Sequence, residues 1–296
     1  MPLRDLLLAL LICLAWAGNF LMSALALREL PPLLFTALRL AVLVLLLAPL
    51  LRRPPPGQWP RLLAIATCTG VLHFGLSFWA LKLAGNLSSP AIVMQSYIPM
   101  SVLLAWLLLG ERFAWRTGTA VALSFAGVLV LGFDPLVLAR PASLGLMLVS
   151  AFFLALGTVL MRGIGGLSPW SMQAWIALVG LPPLLALSAW LEPGGFALIP
   201  ALTATAWAGI AWAALVASLL GHGLYYVLVR RHPVATVMPW LLLTPVFAVA
   251  LGIVFWGDRP GPRLWLGGAM VLGGILVIAL RSRTRARPPV VEPQEL

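Results

Sequence analysis

The sequence predicts an all-α integral membrane protein whose ten transmembrane helices form two inverted five-helix repeats. Three observations lead to this prediction. Hydrophobic residues make up 62% of the chain and charged residues only 9%, and the mean hydropathy is +1.05, which is far from the composition of a soluble domain. Charged residues and Pro/Gly clusters divide the chain into ten apolar segments. A shift of 147 positions sets the second half on the first.

Each apolar segment has about the 20 residues that a helix needs to cross a bilayer. Helix is the expected backbone because lipid offers no partner for peptide groups and no ten-residue alternation of a barrel strand is present. The first segment is longer than the apolar region of a signal peptide, so we expect it to be retained. The predicted spans are 5 to 27, 33 to 51, 62 to 81, 88 to 109, 117 to 133, 143 to 161, 168 to 190, 204 to 228, 234 to 256 and 264 to 280.

The distribution of basic residues predicts the orientation. With the amino terminus in the cytoplasm, thirteen Lys and Arg residues lie inside and five lie outside, as the positive-inside rule requires. Both termini are therefore expected in the cytoplasm of a multi-pass plasma membrane protein, in the bacterial inner membrane. The net charge of +11 is scattered between apolar blocks rather than gathered in a stripe, which argues against nucleic-acid binding.

The repeat is seen most clearly near the ends of the fourth and ninth spans. The shift sets Gly110-Glu111-Arg112 on Gly257-Asp258-Arg259, and residues 127–131 on residues 274–278. Five spans per copy is an odd number, so the second copy must enter the membrane from the opposite side. Inverted repeats of this kind are typical of transporters that work by alternating access around a central site.

The predicted domain organisation follows from this repeat. The predicted units are a first repeat at 1–135, a second repeat at 136–281 and a basic cytoplasmic tail at 282–296. We expect the tail to lie against anionic headgroups.

Several motifs carry a resemblance to a known family. They are "WAGNF" at 16–20, Arg39 inside the second span, "NLSSPAIV" at 86–93 and Gly110-Glu111-Arg112. The chain resembles the drug/metabolite transporter superfamily in its ten-helix branch with two EamA-like repeats, and it is most similar to the YddG-type exporters of aromatic amino acids. The resemblance implies a basket of helices around a central cavity, with the fifth and tenth helices at the periphery.

The chemistry that is absent narrows the function. No GxxxxGK[ST], HExxH or GxSxG motif occurs, so neither ATP-driven pumping by this chain nor an enzyme activity is expected. The eight acidic residues all lie at span ends or in the tail. Because coupled carriers commonly hold an acid at membrane depth, we expect a facilitator or uniporter without cofactor or metal. Titration of a histidine leaves proton coupling open.

Polar and aromatic side chains within the spans are the candidate site. Trp16 and Asn19 share one face of the first helix, and prolines bend the fourth and ninth helices near the midplane. The predicted substrate-binding residues are Trp16, Asn19, His73, Ser77, Gln95, Tyr97, His222, Tyr226, Trp240 and Thr244. The predicted gating or hinge residues are Pro99, Pro239 and Pro245.

Arg39 is the one basic residue inside a span, and burying it in lipid would cost at least about 2.5 to 3.5 kcal/mol. It is expected to serve as a structural intramembrane charge that caps carbonyls of a broken neighbouring helix. Binding of a substrate carboxylate and snorkelling are the alternatives.

The predicted function is export of small amphipathic metabolites, with aromatic or neutral amino acids as the leading substrate class. Drugs or nucleoside-like metabolites are the alternative cargo, and a non-transporting membrane enzyme or scaffold is the second alternative. The expected partners are a small amino-acid-like substrate and the lipid bilayer. A monomer is expected, and small-residue faces on the fifth and tenth spans leave a homodimer open.

Overall fold

The computed structural model describes residues 1–232 and 234–285, so the greater part of the basic tail predicted at 282–296 lies outside the described residues. Ten helices are long and apolar enough to cross a membrane, and each end lies within three residues of its predicted position. They are α1 (Leu3–Ala26), α2 (Pro32–Leu50), α3 (Trp59–Ala84), α4 (Ser88–Leu109), α5 (Trp115–Gly132), α6 (Pro141–Met161), α7 (Pro169–Leu191), α8 (Ala204–Arg231), α9 (Thr236–Trp256) and α10 (Pro262–Arg281).

The described residues contain no β-strand. Outside the ten long helices they add only a short helix at Pro135–Leu138 and a 3₁₀ helix at Gly195–Ala201. The helical backbone of α9 begins at Val234 and that of α10 continues to Arg285. The predicted all-α membrane fold with ten transmembrane helices is therefore confirmed.

Two helices are broken near their middle. Within α4, a turn at residues 95–96 separates Ser88–Met94 from Tyr97–Leu109. Within α9, residue 242 separates Val234–Leu241 from Leu243–Leu251. The two breaks are related by the shift of 147 positions, and a proline follows each break because its ring disrupts the helical hydrogen bonds of the preceding turn.

Three helices contain π-helical segments, in which backbone bonds run to the fifth residue rather than the fourth. They lie at Thr67–His73 in α3, Trp212–Gly221 in α8 and Gly252–Trp256 in α9. The segments of α3 and α8 occupy equivalent places in the two halves of the sequence. Each of them ends at or directly before a histidine, His73 in α3 and His222 in α8.

Helices α5 and α10 pack closely through small residues. A Cβ added to Gly127 would lie 2.6 Å from the carbonyl oxygen of Gly267, and one added to Gly267 would lie 2.6 Å from the backbone nitrogen of Leu131. The Ser124 hydroxyl donates to the carbonyl oxygens of Ala120 and Val271, at 3.1 and 3.3 Å. Glycine is required here because the two backbones touch.

The loops that follow the odd-numbered helices all lie at one end of the bundle. The Trp256 indole, between α9 and α10, donates to the carbonyl oxygen of Gly85 in the α3–α4 loop at 3.1 Å. Its ring also lies 4.2 Å from the Arg28 guanidinium in the α1–α2 loop. Because Glu29, Asp134, Glu192 and Asp258 lie at this end as well, we call it the carboxylate end.

Candidate functional site

The π-helical segment of α8 is anchored by Arg39 of α2. Arg39 Nε donates to the carbonyl oxygen of Ala213 at 3.2 Å, and Nη2 donates to the Ser218 hydroxyl oxygen at 2.7 Å. The Ser218 hydroxyl in turn donates to the same Ala213 carbonyl at 2.7 Å. A carbonyl oxygen has two lone pairs, so that of Ala213 can accept both donors, and the guanidinium binds where the backbone of α8 is π-helical.

Arg39 is otherwise surrounded by aromatic rings. Only 4% of the residue is exposed, and its guanidinium carbon lies 3.8 Å from the ring centroid of Phe74 and 5.8 Å from that of Phe78. Such contacts contribute about 2 kcal/mol where water is excluded. Nη1 has no hydrogen-bond partner among the described residues. Arg39 thus bonds one backbone carbonyl and one hydroxyl of α8, and its role as a structural cap stays a prediction.

Trp16, His222 and Tyr225 form an aromatic cluster between α1 and α8. The ring centroids of Trp16 and His222 are 5.4 Å apart, and those of Trp16 and Tyr225 are 6.1 Å apart. The Trp16 indole donates to the carbonyl oxygen of Ala217 at 3.0 Å, and His222 Nδ1 lies 3.2 Å from that oxygen. The cluster therefore joins α1 and α8.

The rings of this cluster are not fully covered by their neighbours. His222, within α8, is exposed to a water-sized probe. Trp16, Tyr97 and Tyr225 are half-buried in the same way. Exposed or half-buried aromatic side chains within spanning helices are candidates for contact with a small molecule.

His73 has a different environment from His222. Its Nδ1 lies 2.9 Å from the Ser150 hydroxyl oxygen, and that hydroxyl donates to the His73 carbonyl oxygen at 2.9 Å. The residue is buried, so it joins α3 to α6 beside the Phe74 ring, whose centroid is 4.6 Å away. Ser77, also buried, donates to the Phe74 carbonyl oxygen at 3.0 Å.

The remaining predicted residues lie along the broken helices and on α1 and α8. Gln95, half-buried, occupies the break in α4, and Thr244, buried, follows the break in α9. Asn19 accepts from the Ser23 hydroxyl at 3.2 Å. Trp240 is 41% exposed, and Tyr226 lies 5.7 Å from the Arg230 guanidinium. Neither of the last two contacts the Trp16 cluster in a ring pair.

The three predicted hinge prolines divide into two kinds. Pro99 and Pro245 each stand three residues after the break in their helix and are buried, whereas Pro239 lies inside the first segment of α9.

Nothing in the sequence distinguishes Tyr225 from Tyr226 as the cluster member, or points to Ser150 or to the Ala213 and Ala217 carbonyls. Tyr225 and Tyr226 are adjacent, and only the π-helical turn decides which of them reaches Trp16. Ser150 was hidden because its partner His73 is 77 residues away. In the described part of the chain, no group of three or more His, Cys, Asp or Glu could hold a metal ion.

Comparison with known proteins gives a family. The model of the EamA-like transporter family matches residues 3–133 and again residues 142–280. A "Probable amino-acid metabolite efflux pump" of Escherichia coli (strain K12) is 28% identical over 96% of this chain and 98% of its own length. A "Probable terminal-alkyne amino-acid exporter" of Streptantibioticus cattleyicolor is 28% identical over 80% of this chain and 78% of its own.

Two further matches concern the fold and an unassigned relative. An uncharacterized protein of Pseudomonas aeruginosa is 32% identical over 96% of this chain and 98% of its own length. A solved structure titled "Crystal structure of protein" has a TM-score of 0.63 and 20% sequence identity, covering 96% of this chain and 99% of that chain. At that identity the likeness supports the fold alone.

Proposed function

Because the chain belongs to the EamA-like transporter family, we propose that it exports small amphipathic metabolites, with aromatic and neutral amino acids as its substrates, by alternating access. Family membership and the exporter relatives make it a membrane transporter rather than an enzyme. Two relatives are named for amino-acid export, which supports the proposed substrate class.

The observation that carries the proposal is the cluster of incompletely covered rings of Trp16, His222 and Tyr225 between α1 and α8. Indole, imidazole and phenol rings offer flat apolar faces with polar edges, which suits a ring-bearing zwitterion. Asn19 and Gln95, both half-buried, add hydrogen-bonding groups. We propose that each of the other predicted residues either contacts the substrate or shapes the space around it.

We propose facilitated rather than ion-coupled transport. The acidic residues of the described chain lie near the helix ends, at positions 5, 29, 111, 134, 192 and 258, and a coupling carboxylate at membrane depth is the usual device of coupled carriers. His222 keeps proton coupling as the alternative, because imidazole is the side chain whose charge changes most readily near neutral pH.

The proposal includes the arrangement in the membrane. The two ranges matched by the family model each hold five helices, so residues 1–135 and 136–281 are proposed as oppositely oriented repeats. With both termini in the cytoplasm, the carboxylate end would face outward from the bacterial inner membrane. A monomer is proposed, since the small residues of α5 and α10 are already used within the chain.

The test is flux through purified protein in liposomes. Labelled phenylalanine or tryptophan is expected to equilibrate without ATP, and a proton gradient is expected to leave the rate unchanged. Trp16→Ala should lower the rate several-fold, because it removes a ring of the cluster and its bond to Ala217. Trp190→Ala is the matched control, since Trp190 is 76% exposed at the end of α7.

The outcomes separate the alternatives. Absence of flux for every amino acid tried, together with flux of hydrophobic drugs or nucleosides, would replace the proposed substrate class with the alternative cargo. Equal losses in Trp16→Ala and Trp190→Ala would remove the cluster from the substrate path. A rate that follows the proton gradient would replace facilitation with coupling.

A further inference from the structure

At the carboxylate end, four acidic side chains accept hydrogen bonds from groups at the starts of helices distant in sequence. Glu192 accepts from the backbone nitrogens of Leu33 and Leu34 at 2.8 and 3.0 Å. Glu29 accepts from Thr203, Asp134 from Leu264 and Asp258 from the first turn of α4. The first N–H groups of a helix are free and positively polarised, so carboxylates bind them well.

Asp258, like Asp134, is one of the two buried carboxylates of this set. Its Oδ2 accepts from the backbone nitrogens of Leu87 and Ser88 at 2.9 and 2.8 Å and from the Ser88 hydroxyl at 2.5 Å. Only 6% of Asp258 is exposed. At the start of α4, Asn86 Oδ1 accepts from the Ser89 backbone nitrogen at 2.9 Å, and the loop after α9 supplies the acceptor for the nitrogens of Leu87 and Ser88.

Glu111 is the residue that the repeat sets on Asp258, and the two loops have the same backbone. Each acid follows a glycine with positive φ, 67° for Gly110 and 79° for Gly257, a conformation that glycine adopts at little cost. The backbone nitrogen of Glu111 donates to the Ala105 carbonyl oxygen at 3.3 Å, and that of Asp258 donates to Gly252 at 3.0 Å.

The two carboxylates nevertheless have different environments. Glu111, at the opposite end of the bundle, is paired with Arg162 at 2.6 Å, and its side chain is 52% exposed. A surface ion pair of this kind contributes little to stability. Asp258 binds the start of α4 at Leu87 and Ser88. The shift of 147 positions sets these two residues on Val234 and Ala235, at the start of α9.

The packing of α4 and α9 differs between the ends in the same way. The first half of α4, Ser88–Met94, packs against the second half of α9, Leu243–Leu251. The second half of α4 instead packs on α6, and the first half of α9 packs on α10 and α1. The two broken helices are thus joined at the carboxylate end and directed to other neighbours at the opposite end.

From this asymmetry we infer that Asp258 and Glu111 are alternating gate latches: Asp258 on the start of α4 closes one end, and Glu111 on the start of α9 closes the other. The inference rests on the proposed alternating access. The described structure is the state with the Asp258 latch engaged. Exchange between states moves the half-helices about the breaks at residues 95–96 and 242, as packed elements do when they have two arrangements.

The two latches differ in strength. Asp258 receives two backbone donors and the Ser88 hydroxyl, whereas the sequence has alanine at 235, the position equivalent to Ser88. Glu111 would therefore receive the two backbone donors alone. The state closed at the carboxylate end is favoured by one charge-assisted hydrogen bond, and Ser88→Ala removes that difference.

The test measures distances between spin-label pairs in nanodiscs, on a Cys13→Ala/Cys68→Ala background. One pair, Leu83→Cys with Val254→Cys, reports the carboxylate end, and the other, Leu107→Cys with Trp240→Cys, reports the opposite end; all four positions are exposed. Ser88→Ala and Asp258→Asn are expected to lengthen the first distance and shorten the second, changing the ratio of the two populations about threefold to tenfold. Glu111→Gln is expected to shift the ratio the other way.

Arg259→Ala is the matched control, because Arg259 is exposed beside Asp258 and should leave both distances unchanged. Ser88→Ala keeps both backbone donors to Asp258, so we expect this variant to fold. It therefore tests the latch even if Asp258→Asn does not fold. Unchanged distances in Ser88→Ala and Glu111→Gln, with only a lower melting temperature, would overturn the latch and leave a static cap. Distances that respond in the labelled protein, while the unlabelled wild type transports no substrate, would uphold the latch and overturn the proposed function.

Discussion

At the scale of single residues, Arg39 shows how a buried charge can be held without an acidic partner. Its guanidinium has two acceptors, the Ala213 carbonyl and the Ser218 hydroxyl, and lies on the Phe74 ring. The planar fork of arginine fits such an arrangement, whereas the compact ammonium of lysine does not. A substitution that keeps the positive charge but loses the planar guanidinium should therefore destabilise the protein more than one that removes both.

We predict that Arg39→Lys lowers the free energy of unfolding by about 2 to 3 kcal/mol, and by more than Arg39→Met does. Methionine keeps much of the volume, and Ser218 still donates to Ala213. Unfolding in mixed micelles measures both variants. A lysine variant as stable as the wild type would show that the two hydrogen bonds do not hold the π-helical segment.

Glu29 gives a prediction for acid. The Thr203 hydroxyl, and next its backbone N–H, hold the pKa of the Glu29 carboxyl below the ordinary 4.5. A lowered pKa stabilises the fold above the pKa of the unfolded chain, and that contribution is lost as pH falls through the folded value. We expect Glu29→Gln to flatten the loss of melting temperature below pH 4.5. Parallel acid curves for wild type and variant would contradict this.

How far the residues of the site were predictable depends on the distance between partners. That Arg39 must face protein follows from the cost of a charge in lipid, and the aromatic character of Trp16 is visible in the sequence. The choice of Tyr225 over Tyr226 depends on a π-helical turn, because each inserted residue rotates the following side chains around the helix. Hydropathy measures the transfer of side chains from water to an apolar phase, so it does not indicate where a helix becomes π-helical.

At the scale of elements, the ten helices were predicted within three residues at each end because spanning length and charge placement are both fixed by the bilayer. The breaks in α4 and α9 follow from their prolines. The caps at the carboxylate end could not be read from the sequence, since Glu192 and Asp258 lie 158 or more residues from the helix starts they bind.

The contact of α5 with α10 gives a prediction for a whole element. Gly127→Ala is expected to destabilise the protein by about 1 to 3 kcal/mol, because its Cβ would meet backbone atoms of Gly267 and Val271 within 2.8 Å. Gly273→Ala on α10 is the matched control, with no heavy atom within 4 Å of the added Cβ. Thermal melts compare them, and equal melting temperatures would show that α5 and α10 can move apart at no cost.

At the scale of the whole molecule, the alternating latches predict a compensation between the two halves. Asp258→Asn and Glu111→Gln each unbalance the two states, so each should slow exchange of labelled amino acid several-fold under the proposed mechanism. The double variant removes one charge-assisted contact from each state, so it should recover much of the rate. If the rate of the double variant falls by the product of the two single-variant losses, the two carboxylates act independently.

The carboxylate caps also bear on the order in which the chain is made. Helices α2 and α4 are synthesised and inserted long before Glu192 and Asp258, which bind their first N–H groups, leave the ribosome. The first five helices alone therefore have two starts that only the second half completes. The bonds that cap α2 and α4 from the second half can therefore form only late in translation, after the helices that they cap have been inserted.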